Sequence, residues 1–276
     1  MKLVLMLLTV FGISVQFNSS SSLYDDMKAD SMEKEMIMNS VEEVEPLVEI
    51  KDVKTITISS KDGLPITADI YEVENSSKPT ILLFHQAGYS RGEYVEIAPK
   101  LNKLGYSCIA IDQRSGREVN GVVNETHLAA KKENKKTEFV DAIDDLRATI
   151  EYALEEFGSK EVILWGSSYS SSLVLILGNE YTENVSAILS FAPGEYFTYQ
   201  GKKIEEYASS LSKPVFITSA KNEYKNWNSI FDKISTDTKT KFLPSDKGYH
   251  GSKALWEKNE GNEEYWENVI GFLNKI

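Results

Sequence analysis

No stretch of the 276-residue chain restricts the fold as tightly as Glu161 to Gly178, which reads EVILWGSSYSSSLVLILG. Glu161 to Trp165 is a short apolar run of strand type, Leu173 to Leu177 is a second apolar run, and Gly166-Ser167-Ser168-Tyr169-Ser170 lies between them. Together they predict a strand, a tight turn and a helix. A sharp corner of this kind pushes one side chain out at the carboxyl edge of a sheet and aims the first unpaired N–H groups of the helix at the same spot. Ser168 occupies the corner. The run fits the nucleophile-elbow pattern G-x-S-x-G except at its fifth position, where Ser170 stands in place of glycine. A small serine still permits the close packing that the glycine serves. Gly and Ser are also the ordinary residues of any strand-to-helix loop, so the rest of the chain has to decide whether Ser168 does chemistry.

The apolar patterning elsewhere predicts strands alternating with helices. Val53 to Ser59 and Leu64 to Tyr71 alternate around Asp62-Gly63, which reads as a β-hairpin. A buried-type strand at Thr80 to Phe84 follows, then a helix ending at Leu104-Gly105 and a strand at Tyr106 to Ile111. Residues 112–137 read as polar and irregular. Phe139, Ile143, Leu146, Ile150, Leu154 and Phe157 then recur at helical spacing up to Gly158. Beyond the elbow come strands at Ser186 to Phe191, Pro214 to Ser219 and Thr240 to Leu243, a helix at Trp227 to Ile234, and a closing helix with Trp266, Val269, Ile270 and Leu273 inward. The expected class is α/β, a mostly parallel central sheet with helices on both faces and antiparallel strands at the amino-terminal edge. In such sheets the site lies at the carboxyl ends of the strands.

Composition narrows the partners. A formal net charge of −12 argues against nucleic acid, because binding a phosphate backbone needs clustered Lys and Arg. One cysteine, Cys108, and three histidines, His85, His127 and His250, supply no metal-ligand spacing, so no metal and no cofactor is expected. Lys2 followed by the apolar run Leu3 to Phe11 is too short to span a bilayer and suits a secretory signal over residues 1–16. An acidic leader fills 17–52, poor in branched and aromatic residues, and the domain proper runs from 53 to 276. The expectation is an exported chain, periplasmic or secreted, with no stable membrane span once the signal is removed; a retained amino-terminal anchor is the alternative.

A nucleophilic serine needs a base, an acid that orients the base, and N–H donors for the oxyanion. His250, in the loop Pro244 to Gly251 after the last strand, suits the base. The turn Ala220-Lys221-Asn222-Glu223 offers Glu223 as the acid, with Asn222 and Glu195 as alternatives. The loop His85-Gln86-Ala87-Gly88 would supply the second oxyanion donor from Gln86, to pair with the N–H of Tyr169, while His85 holds the loop. Tyr196, Phe197 and Tyr199 either cap a small apolar pocket or simply pack. Arg114 and Arg117 either meet a substrate carboxylate or lie solvated.

His85 to Gly88, Gly105-Tyr106 with Ile109 to Asp112, the elbow Gly166 to Ser170, the turn Ser219 to Glu223, and Gly248-Tyr249-His250-Gly251 resemble the α/β-hydrolase superfamily over residues 53–276. Within it the chain is similar to dienelactone-hydrolase-like proteins and small bacterial serine esterases, and its serine, acid, histidine order matches theirs. Dienelactone hydrolases proper use a cysteine nucleophile and Cys108 is wrongly placed for that, so their substrate is not implied. The resemblance implies a serine hydrolase acting on small or short-chain esters through an acyl-enzyme. The rivals are a non-catalytic hydrolase-like binding protein and an exopeptidase or amidase of the same fold.

Overall fold

The computed structural model describes residues 51–276. The expected signal peptide and nearly all of the acidic leader lie outside them. Ten strands occur among the described residues: β1 (Lys54–Ser59), β2 (Pro65–Tyr71), β3 (Thr80–Phe84), β4 (Cys108–Ile111), β5 (Glu118–Val119), β6 (Val122–Val123), β7 (Val162–Ser167), β8 (Val185–Phe191), β9 (Val215–Thr218) and β10 (Lys239–Phe242). Eight of them form one sheet in the order β1-β2-β4-β3-β7-β8-β9-β10. β1 and β2 pair antiparallel, as do β2 and β4, and every later neighbour is parallel. The expected class is the observed one.

Burial explains the strand order. TILLF of β3 and VILWGS of β7 are buried at every position and take the centre, whereas KTKF of β10 is only partly covered and takes an edge. Side chains alternate between two cores. Leu82, Phe84 and Leu164 face the helices α3 (Ile143–Glu155) and α4 (Tyr169–Glu180), while Ile81, Leu83, Ile163 and Trp165 face α1 (Ile97–Lys103) and the last helix, Asn262–Leu273. Cys108 is sealed between β2 and β3, and burial pushes its thiol well above the ordinary range.

Two regions depart from the expectation. Residues 112–137 hold the β5–β6 hairpin and the helix α2 (Glu125–Lys132). The hairpin turns on Asn120 and Gly121, both at positive φ (52° and 76°), the conformation that an Asn-Gly pair favours. α2 buries only Thr126 and Ala130, so it carries no apolar stripe, and its start is fixed by Asn124, whose side chain accepts the His127 N–H at 2.7 Å. A short helix, α5 (Ile204–Ala208), interrupts the connection after β8. Asn228–Lys233 is α6, and the closing helix is α7.

Candidate active site

β7 and α4 meet at Ser168, which caps α4 with φ 58° and ψ −122°, a left-handed backbone that serine rarely adopts. The corner is tight enough to need Gly166, because a Cβ there would lie 2.4 Å from the Ser170 carbonyl oxygen. Ser170 is more than a small residue tolerated for glycine. Its buried hydroxyl accepts from Gln113 Nε2 at 2.5 Å and donates to the His85 carbonyl at 2.6 Å, tying the elbow to the loops after β3 and β4.

His250 lies in the loop after β10, with Nε2 2.7 Å from Ser168 Oγ and Nδ1 2.7 Å from Glu223 Oε1. Glu223 belongs to a 3-10 turn, Lys221–Asn226, that follows β9. The two loops are laced together: Lys221 N–H donates to the Lys247 carbonyl at 2.9 Å, and Tyr265 from α7 donates its hydroxyl to the Ser219 carbonyl. The structure therefore brings Ser168, His250 and Glu223 into one hydrogen-bonded line. It does not bring in the other two candidate acids. Asn222 is exposed and makes no hydrogen bond to the imidazole among the described residues, and the Glu195 carboxylate accepts the Ile204 and Glu205 N–H groups at 2.8 Å each, capping α5.

The loop after β3 differs from expectation at one residue. Gln86 N–H, expected to face the oxyanion, donates to Glu93 Oε2 at 2.7 Å and is occupied. The next N–H, that of Ala87, has no partner among the described residues, and neither has that of Tyr169 in the first turn of α4. His85 is structural. Its Nε2 accepts the Gln113 N–H at 2.9 Å, which leaves Nδ1 to donate to the Gln86 carbonyl at 2.8 Å, and burial pushes its pKa down to about 4.

Residues 75–251 match the family described as serine aminopeptidase, S33. The chain belongs to this family of α/β hydrolases. Among solved structures, this S33 chain is similar to an esterase from Pyrococcus furiosus, at 18% identity and TM-score 0.62 over 81% of this chain and 92% of that one. It is similar to a dienelactone hydrolase from Anabaena variabilis at 12% identity and TM-score 0.64, over 81% and 97% of the two chains. Est1E from Butyrivibrio proteoclasticus gives 13% identity and TM-score 0.58 over 80% and 98%. At these identities the likeness is one of fold. Comparison with curated proteins finds no match.

The S33 chain's other candidate contacts sort cleanly. Arg114 is buried and fully engaged, its guanidinium on Asp145 at 2.7 Å and on Asp62 at 3.0 Å, so it is neither a substrate contact nor solvated. Arg117 is exposed. Phe197 and Tyr199 pack on the core. Tyr196 alone of the three aromatics stands beside the serine, where Ser168 is among the groups acting on its phenol. No ionic cluster suited to a metal occurs among the described residues, and no helix among them is long and apolar enough to cross a membrane.

Proposed function

We propose that this S33-family chain is a serine hydrolase that cleaves small or short-chain carboxylic esters through an acyl-enzyme. The observation that carries the reading is the unbroken line from Ser168 Oγ through His250 to Glu223, with 2.7 Å at each link. As Ser168 Oγ bonds to the ester carbonyl carbon, its proton passes to His250 Nε2 and the carbonyl π pair moves onto oxygen. The N–H groups of Tyr169 and Ala87 receive that oxyanion. Glu223 accepts the Nδ1–H, fixing the tautomer and stabilising the imidazolium. Collapse breaks the bond to the leaving alkoxide, which takes the proton back from His250, and water repeats the sequence to free the acid.

The small-substrate reading is supported by the connection after β8, where the short α5 leaves no insertion large enough to form a lid domain. Tyr196 bounds the site there, its hydroxyl donating to the Ala192 carbonyl at 2.8 Å. The family's description favours a second reading, an aminopeptidase. Selecting a free amino terminus calls for a carboxylate facing the substrate. Glu195 is committed to capping α5 and Glu93 is wholly buried, which supports the ester reading over that one. Export is part of the proposal too, on the strength of Lys2 and the apolar run Leu3 to Phe11.

The test is labelling of the purified chain by a fluorophosphonate, together with turnover of a p-nitrophenyl ester series. Labelling at Ser168 and rates that fall as the acyl chain lengthens are expected. Undiminished labelling in Ser168→Ala would overturn the assignment, and preference for long acyl chains would overturn the small site.

A further inference from the structure

Glu93 is a second carboxylate at the site, and none of the acyl-transfer steps uses it. It sits in a 3-10 turn, Arg91–Tyr94, with 0% exposure. Its partners are neutral donors: Oε2 accepts the Gln86 N–H at 2.7 Å and Oε1 accepts the Ser167 hydroxyl at 2.7 Å. Ser167 Oγ in turn accepts the Ser252 N–H at 2.9 Å, and the Ser252 hydroxyl oxygen accepts Trp165 Nε1–H at 2.9 Å. The turn that carries Glu93 is itself pinned, since its carbonyl accepts Trp256 Nε1–H at 2.8 Å.

The positions joined in this way are neighbours of the reacting groups. Gln86 adjoins Ala87, Ser167 immediately precedes Ser168, and Ser252 follows His250 by two residues. One carboxylate thus spans the loops that hold an oxyanion donor, the nucleophile and the base. Gly251 at φ 71° lets them close up, because a Cβ there would lie 2.5 Å from Ser167 Oγ and 2.6 Å from Gln86 Oε1. An ionised side chain is costly in such a place, and bracing alone could be done by a neutral amide.

We infer that Glu93 is a positioning residue of the reaction, its ionised carboxylate clamping the oxyanion loop, the nucleophile strand and the histidine loop into one reactive geometry. The inference rests on the serine-hydrolase reading and adds a residue to it. Burial raises the Glu93 carboxyl to about 7, opposed by the Gln86 N–H, the Ser167 hydroxyl and the charges of His250 and Lys253. Tyr89, Tyr94 and Tyr169 also face it, each with its phenol pushed up by burial and therefore neutral. The clamp consequently titrates near neutral pH. Once protonated, Glu93 becomes a donor toward Ser167 Oγ and stops accepting the Ser167 proton. Gln86 Oε1, buried with no partner among the described residues, borders the same spot and is available to that proton.

The experiment compares the full chain with Glu93→Gln, Glu93→Asp and Ser167→Ala, measuring kcat and KM for p-nitrophenyl acetate against pH alongside fluorophosphonate labelling. In the unaltered chain the acid limb of kcat/KM should include the ionisation of Glu93. In Glu93→Gln that ionisation should be gone, with kcat lower by about 10- to 100-fold from misplaced groups and KM within about twofold. Glu93→Asp should restore the carboxyl ionisation. Ser167→Ala removes a donor that favours the charged form, so its Glu93 limb should move to higher pH, and this variant carries the test alone if Glu93→Gln fails to fold. An acid limb of the same shape and position in all four proteins overturns the clamp and leaves the hydrolase intact. An unaltered chain that is neither labelled nor active overturns both.

Discussion

Glu223 and Glu93 are two carboxylates at one site in opposite surroundings. Glu223 stands in a partly open turn and meets a histidine, which can take up a positive charge beside it. Glu93 is sealed from water and meets only an amide N–H and a hydroxyl. The first carboxylate can answer a charge that appears during a reaction. The second holds fixed parts in place and bears a desolvation cost for doing so. Surroundings, rather than residue type, divide the work.

Replacing Ser168 by alanine gives the floor against which both carboxylates are judged. Turnover should fall by on the order of 10⁴-fold or more, with fluorophosphonate labelling lost, as read by mass spectrometry of the elbow peptide. Glu223→Gln should come next, lowering kcat by up to about 10⁴-fold through loss of the tautomer and of the imidazolium's partner. Steady-state rates would show it, and Asn222→Ala in the same assay should stay near the starting value. Equal losses from the two would erase the role drawn for Glu223.

Glu93 sharpens the comparison through stability. Its carboxyl is raised from 4.5 to about 7 in the folded chain, so between those values the folded state keeps a proton that the unfolded state has released. Stability from this group is therefore greatest below about pH 4.5 and is lost as pH rises through about 7, by on the order of 3 kcal/mol. Thermal melts of Glu93→Gln across that range should drop less steeply than those of the unaltered chain, and parallel curves would break the contrast. The smallest effect is expected at Ser170→Gly. It removes hydrogen bonds to Gln113 and His85 and should cost about 1 to 2 kcal/mol in denaturant unfolding. Labelling at Ser168 should persist, since Ser170 touches neither reacting atom.

Most of the sheet was legible in the sequence because its strands are short apolar runs bounded by turns. Thr80 to Phe84 and the elbow are the clearest, and their burial on both faces is what an unbroken apolar run encodes. α2 was not legible from periodicity, since it buries a threonine and an alanine in place of an apolar stripe. Asn124 as an N-cap and Asn120-Gly121 as a hairpin turn were the signals available there. At the site, Ser168 and His250 could be chosen by pattern and loop position. The choice among Glu223, Asn222 and Glu195 depends on how a 3-10 turn is phased and on which carboxylate a helix start consumes, and neither is written in residue spacing. Glu93 left no trace at all. Within Ser90-Arg91-Gly92-Glu93-Tyr94 it looks like an ordinary solvated loop residue, and only the packing of three remote loops buries it. The same packing moves the open N–H from Gln86 to Ala87.

Enclosure of Cys108 inside the sheet has a practical use. Thiol-directed dyes and spin labels should leave the native chain unmodified, so a single cysteine engineered on the β5–β6 hairpin or beside Tyr196 would become its sole reporter. Distances and motions near the site can then be followed spectroscopically without first stripping a background residue.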